Sequence, residues 1–326
     1  MRIADRAIPS DSTVVVVGAN GYMAVETCEK LLQAGYRVCG TVRDVERHRN
    51  WMHALFDENW PDRFELVQVQ DFQDTDAFDN AFQGASGVIY PSMPMIFDAD
   101  PVKVYEPMIK GVVNTLCKRQ LPYELTNDMF NYEAIEKVQD GPVDASFERI
   151  LAVYSAGRTL AELEFWKCVK ANNPPFVANC VVPDGQFGRV IDTQNINLGA
   201  RSSTRQLMHA LQGQWDKIKL DIASVTDVQN SARLLVAAVA LASIKNQRIF
   251  SYYINMTWND MRRKIREMCP DRPELVTGDN RQKERRDTSH ASKLIARAED
   301  ILRAVGQHGF VSEDDIICDF VTSVFT

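Results

Sequence analysis

The 326-residue chain predicts a doubly wound α/β fold, a parallel sheet with helices on both faces, from three observations. Val14 to Val17 form a run of β-branched residues, the mark of a strand buried on both faces. Gly18 and Gly21 follow at once and lead through Ala24 into a helical pattern. Strand and helix patterns then alternate along the first half of the chain, as a parallel sheet requires.

In order, the first strand is followed by a helix over about Gly21 to Gln33, with Gly35 at its C-cap. Tyr36 to Val42 predicts the second strand, and Val45 to Asn59 a helix ended by Trp60-Pro61. Phe64 to Val69 is the third strand, Thr75 to Phe82 a short helix, Gly87 to Tyr90 the fourth strand, and Val102 to Lys118 a long helix. A strand is due next, but Leu121 to Thr126 carries Pro122, which cannot donate to a central ladder. A central strand is therefore missing or replaced. A polar helix near Asn131 to Val138 and a Gly141-Pro142 loop come instead, then a long helix over Arg149 to Lys170. Phe176 to Val182 reads as a strand, Thr226 to Ile244 as a helix and Arg248 to Ile254 as a strand. Helices near Asn259 to Met268 and Glu313 to Val324 follow. The basic stretch Asp279 to Arg297 reads as a solvated loop. This organisation divides the chain into a nucleotide-binding domain over 1–182, with returns near 226–254, and a smaller, mostly substrate-binding lobe over 183–326.

Composition narrows the partners. Apolar residues make up 45% and charged residues 25%, ordinary for a soluble globular protein. The net charge of −7 argues against nucleic acid. No segment approaches a membrane-spanning run, and Met1 to Arg6 has no apolar core of signal-peptide length. The seven cysteines are scattered without a Cys-x-x-Cys pair, so the expectation is a cytoplasmic protein with no zinc and no disulfide framework.

A strand that turns through glycines into a helix brings bare backbone N–H groups up to a phosphate, so Gly18 and Gly21 point to a dinucleotide. Arg43 ends the second strand, where an arginine accommodates the 2′-phosphate of NADP and an acidic residue would bind the ribose hydroxyl of NAD. Asp44 comes one residue later. Asp71, after the third strand, is placed for the adenine edge or for a turn cap. Tyr154 and Arg158, four apart, share one helix face. A phenol serves as an acid at neutral pH when a nearby cation favours phenolate, and Arg158 supplies that charge.

Gly18-Ala-Asn-Gly-Tyr-Met-Ala24, Gly40-Thr-Val-Arg43, Tyr154-Ser-Ala-Gly-Arg-Thr-Leu-Ala-Glu162 and Val182-Pro-Asp-Gly-Gln-Phe-Gly188 occur in this order. In them the chain resembles the extended short-chain dehydrogenase/reductases, close to the fungal aldehyde reductase and dihydroflavonol reductase group. The resemblance implies a Rossmann sheet, NADP(H), and reduction of an aldehyde or ketone, in a setting of fungal secondary metabolism. It places Gly18, Asn20, Gly21, Tyr22, Met23, Arg43, Asp71, Tyr154, Arg158 and Pro183 at the cofactor. It also implies a Ser–Tyr–Lys set in which Tyr154 protonates the forming alkoxide. Arg158 stands where the family has lysine, and the serine belongs to the strand that is missing.

Both departures have consequences. Arginine keeps the positive charge but is planar and never gives up its proton. An empty slot in the sheet leaves buried backbone groups unpaired at about 1–3 kcal/mol each. Either another segment fills it, the sheet closes over it, or the transcript has lost it. A non-redox isomerase, cyclase or lyase on the same fold, or an inactive NADP-binding descendant, are the alternatives to the reductase. The Pro91 to Phe97 loop, with Gln186 and Phe187, is expected to line a pocket for a hydrophobic carbonyl compound.

Overall fold

The computed structural model describes residues 1–72, 74, 77–91, 96, 98–110, 127–141, 144–198, 202–218, 222, 224–278 and 291–325. The elements are β1 (Thr13–Val16), α1 (Tyr22–Gln33), β2 (Arg37–Val42), α2 (Val45–Phe56), β3 (Phe64–Gln68), α3 (Asp79–Phe82), β4 (Gly87–Ile89) and α4 (Pro101–Lys110). Next come α5 (Tyr132–Asp140), α6 (Phe147–Asn172), β5 (Cys180–Pro183), β6 (Gly185–Phe187), α7 (Ser203–His209), β7 (Ser224–Asp227) and α8 (Val228–Ala240). The rest are β8 (Arg248–Ser251), β9 (Ile254–Asn255), α9 (Trp258–Met268), α10 (Ser292–Ala304) and α11 (Glu313–Phe325).

The doubly wound half is present as predicted. β3-β2-β1-β4 form one parallel sheet, with Val14 opposite Val38 on one side and Gly87 on the other. Val14 and Val16 face the main core, and Val15 and Val17 pack on the opposite face with Cys39 and Tyr90. Alternation across the pleat buries the whole run on both faces. Gly35, at φ +86°, closes α1, with the Tyr36 N–H reaching back to the Leu31 carbonyl.

β5 pairs in parallel with β8, and among the described residues no strand joins that pair to β4. Leu121 to Thr126 lies outside the described residues. One helix touches both ladders: α8 packs on β4, β5, β7 and β8. It comes so close to β4 that a Cβ on Gly87 would stand 2.6 Å from Val239 Cγ2. The main core accordingly runs from Val14 and Leu31 through Leu234 to Phe320. A second cluster, Val104, Ala134, Ile135, Val138, Val153, Ala156 and Ala161, joins α4, α5 and α6.

Several predicted elements are corrected. Thr226 belongs to a strand, because its hydroxyl donates to the Ser251 carbonyl and Asp227 then caps α8 by accepting from the Asn230 N–H. The strand expected over Phe176 to Val182 begins only at Cys180. Phe176 and Val177 are exposed, and the Ala178 N–H is taken by the Asn246 side chain in place of a ladder partner. The Arg248 to Ile254 strand divides into β8 and β9. The Thr75 to Phe82 helix is formed only over Asp79–Phe82 among the described residues. Part of the basic stretch read as a loop is α10, whose buried Leu294, Ala298, Ile301 and Leu302 keep a helical period.

Asp227 carries a test of this packing. Its Oδ1 caps α8, while Oδ2 is buried without a hydrogen-bond partner beside Gly188. Burial raises its carboxyl pKa to about 6, with Glu26 and Asp319 adding to the shift and the Asn230 N–H and Arg233 opposing it. The unfolded carboxyl ionises near 3.9. The folded state therefore holds this proton longer, and its contribution to stability is full below about pH 4 and lost as pH rises through about 6. Asp227→Asn keeps a cap and cannot ionise. Urea unfolding should show a flatter pH slope between about pH 4 and 7, with a gain relative to wild type on the order of 1–3 kcal/mol at the neutral end.

Candidate active site

Parallel pairing brings the C-terminal ends of β1, β2, β3 and β4 to one edge, where open α/β sheets bind ligands. The glycine loop lies there. Gly18 has φ +68°, its N–H donates to Thr41 Oγ1 (3.2 Å), and the Ala19 N–H donates to the Thr41 carbonyl (2.9 Å). β2 approaches so closely that a Cβ on Gly40 would stand 2.7 Å from the Ala19 Cβ. Gly21 caps α1 with no side-chain acceptor, and the first turn of α1 holds no acidic residue. The N–H groups of Tyr22, Met23 and Ala24 thus begin a helix whose positive end carries no carboxylate, a donor set that suits a phosphate.

The loop is tied down from two sides. The Asn20 carbonyl accepts from the Asn197 N–H at 2.9 Å, and the Asn20 carboxamide Nδ2 lies 3.3 Å from His48 Nε2. The Trp51 indole donates to His48 Nδ1 at 3.1 Å. Burial lowers the His48 pKa, with Arg47 adding to the effect and Asp44 opposing it, so the ring is neutral at physiological pH. The Tyr22 hydroxyl donates to the Gly188 carbonyl (3.0 Å), so this side chain reaches the segment after β6 while its backbone opens α1. Burial pushes the Tyr22 phenol up. One turn further along α1, the buried Glu26 takes Arg189 through both oxygens, at 3.0 and 2.8 Å. Met23 gives its carbonyl to Thr27 Oγ1 at 2.7 Å.

Arg43 is exposed at the tip of β2. Its neighbour Asp44 is occupied as the N-cap of α2, accepting from the Arg47 N–H at 3.1 Å. The charge at this tip is therefore left to arginine. Tyr90, at the end of β4, has its phenol raised by burial, and the nearby Arg43 guanidinium opposes that shift. Asp71 is exposed just beyond β3, and Pro183 ends β5 in register with Ser251.

Tyr154 and Arg158 meet as their spacing predicts. Both are half-buried on α6, Arg158 Nη1 lies 3.5 Å from the Tyr154 hydroxyl, and its guanidinium carbon lies 5.8 Å from the ring centroid. The interaction with Tyr154 raises the Arg158 pKa against burial, and Cys180 and Glu162 add to it. α6 is set by the Ser146 cap on the Arg149 N–H and ends at Asn173 in the left-handed region. Ile96 packs on the same α4–α6 cluster as Tyr154, which puts this part of the Pro91 to Phe97 loop beside the helix. Ser92, Met93, Pro94, Met95 and Phe97 lie outside the described residues.

Phe187 corrects the expected pocket lining. It is 1% exposed and meets Trp258 and Phe320 edge to face, as a core residue. Gln186, its neighbour on the opposite face of β6, is half-buried. Thr41, His48 and Asn197 hold the glycine loop, and local patterns did not reveal them. Glu162 continues the four-residue spacing of Tyr154 and Arg158 on α6.

The chain is similar over nearly its whole length to aldehyde reductase 2 of Sporidiobolus salmonicolor, with 26% identity over 99% of this chain and 98% of that protein. It is likewise similar to ketoreductase nvfG of Aspergillus novofumigatus, with 26% identity over 97% of each. Among solved structures, the yeast methylglyoxal/isovaleraldehyde reductase Gre2 complexed with NADPH superposes with a TM-score of 0.70 at 18% identity, over 96% of this chain and 98% of that one. No family model matches the chain. The architecture is that of the Rossmann-fold reductases. Its relatives are ketoreductases and an aldehyde reductase of fungi, the kind of protein that its motifs resemble.

Proposed function

We propose that this protein is an NADPH-dependent reductase of a hydrophobic aldehyde or ketone, working in fungal secondary metabolism. The observation that carries the reading is the Arg158–Tyr154 contact on α6, in a chain whose glycine loop keeps an uncapped helix N-terminus. The nicotinamide, when bound, supplies the hydride. The chain supplies the remainder. The N–H groups at the start of α1 receive the diphosphate, and Arg43 meets the 2′-phosphate, with Asp44 withdrawn to its cap. The Tyr154 hydroxyl donates its proton to the carbonyl oxygen as charge develops there, and Arg158 stabilises the phenolate left behind. Because a guanidinium keeps its proton, Tyr154 is recharged from solvent and not through Arg158.

The test is NADPH binding followed by its consumption with a panel of aromatic and aliphatic aldehydes and ketones. Binding without turnover across the panel overturns the reductase and leaves acid/base chemistry without redox. Arg43→Ala should weaken NADP(H) about 10- to 100-fold, the value of a charge-assisted contact, and leave NAD(H) affinity nearly unchanged. Isothermal titration with both nucleotides checks it.

A further inference from the structure

Tyr154, Arg158, Glu162 and Trp166 recur every four residues on α6 and form one stripe. An arginine one turn before a glutamate is a pair that an isolated helix makes. Here it is not made: among the described residues no ion pair joins Arg158 to Glu162. Glu162 gives both oxygens to Arg248 of β8, Oε1 to Nε at 2.6 Å and Oε2 to Nη2 at 2.8 Å, and Oε1 also accepts from the Trp166 indole at 3.3 Å.

Arg248 is itself held by more than this carboxylate. It is 9% exposed, and its Nη1 donates to the Met129 carbonyl at 2.5 Å and the Asn127 carbonyl at 3.4 Å. Its guanidinium carbon lies 4.2 Å from the Phe130 ring centre and 4.7 Å from that of Phe250. The fork is therefore fixed by β8 and by the segment entering α5, and Glu162 comes to it. Around Arg158 stand Tyr154 and Glu162 of α6 and Cys180 of β5, with Arg248 beyond Glu162.

We infer that Arg248 is a positioning residue: by occupying both carboxylate oxygens of Glu162 it prevents the Arg158–Glu162 pair along the helix and leaves the Arg158 guanidinium on the Tyr154 hydroxyl. This rests on reading Tyr154 as the proton donor of the reaction. Arginine at 158 makes such a device necessary, because its long planar fork reaches the next turn and binds a carboxylate through two donors at once.

Arg248→Met tests it. The freed Glu162 draws Arg158 away, so a crystal structure of the variant should show the Arg158 guanidinium on the Glu162 carboxylate and off the Tyr154 hydroxyl. Turnover falls about tenfold, while the KM for the carbonyl compound changes less than about twofold. Arg248→Met with Glu162→Gln removes the competitor as well and should return Arg158 to Tyr154 and restore most of the turnover. That double variant also avoids a lone buried carboxylate, so it serves if the single variant does not fold. In that event, an Arg158 displaced from Tyr154 in the double variant or in Glu162→Gln overturns the inference. So does an Arg158 still on Tyr154 in a crystal of Arg248→Met, or a double variant no better than the single one. A wild-type protein that turns over no carbonyl compound, yet shows the displaced Arg158 in Arg248→Met, refutes the reductase and keeps the positioning role.

Discussion

Tyr154→Phe is expected to lower turnover by about 100-fold or more while leaving NADPH binding within about threefold, the range in which a positioned acid/base group contributes. The substitution removes one oxygen and leaves the ring packed against the α4–α6 cluster, so the fold has no reason to change. It deletes the only phenol on the stripe that Arg158 faces. Steady-state kinetics and nucleotide titration on the same preparation separate the outcomes. Equal losses of binding and turnover would mean that Tyr154 holds the nucleotide and does no proton transfer. An unchanged rate would remove Tyr154 from the chemistry altogether. Arg158→Lys restores the residue implied by the family at that place, but an ammonium is a single nitrogen without the planar fork that a carboxylate can take through two donors. Its kinetics should accordingly depend less on Arg248 than those of the wild type.

How legible the site was depends on the range of the interactions that make it. The glycine loop was readable because each of its requirements is local: β-branched residues before it, a positive φ at Gly18, and no carboxylate in the first turn of α1. The Tyr154–Arg158 contact was readable because a helix fixes what stands one turn away. The same rule gives a wrong answer for Arg158 and Glu162, since Arg248 arrives from another element and takes the carboxylate. His48 and Asn197 act on Asn20 through pairings between separate segments, and nothing in their own neighbourhoods marks them. The alternation of strands and helices up to β4 was equally legible, since each element there carries its own period. Element edges were less so. Thr226 looked helical until the Ser251 carbonyl and the Asp227 cap claimed the preceding turn.

Phe187 shows the same limit at the pocket, and it carries the second large expectation. A position beside Gln186, just after the strand that ends at Pro183, reads as lining a substrate cavity when only the order of residues is known. The strand β6 is three residues long, and alternation sends neighbouring side chains to opposite faces. Phe187 goes inward. There it meets Trp258 at 5.9 Å between ring centres and 86° between planes, and Phe320 at 6.3 Å and 82°. It therefore joins β6 to α9 and α11 through edge-to-face packing. Phe187→Ala should cost about 3–5 kcal/mol, because the transfer energy of the ring is lost together with a cavity that three separate elements cannot collapse to fill. Urea unfolding measures it, and the midpoint should fall without a matching change in slope. A pocket residue would behave otherwise: stability would hold while the Michaelis constant for the carbonyl compound rose. Phe187→Leu separates the two readings further, since it restores most of the buried volume but no aromatic edge, and should recover over half of the lost stability.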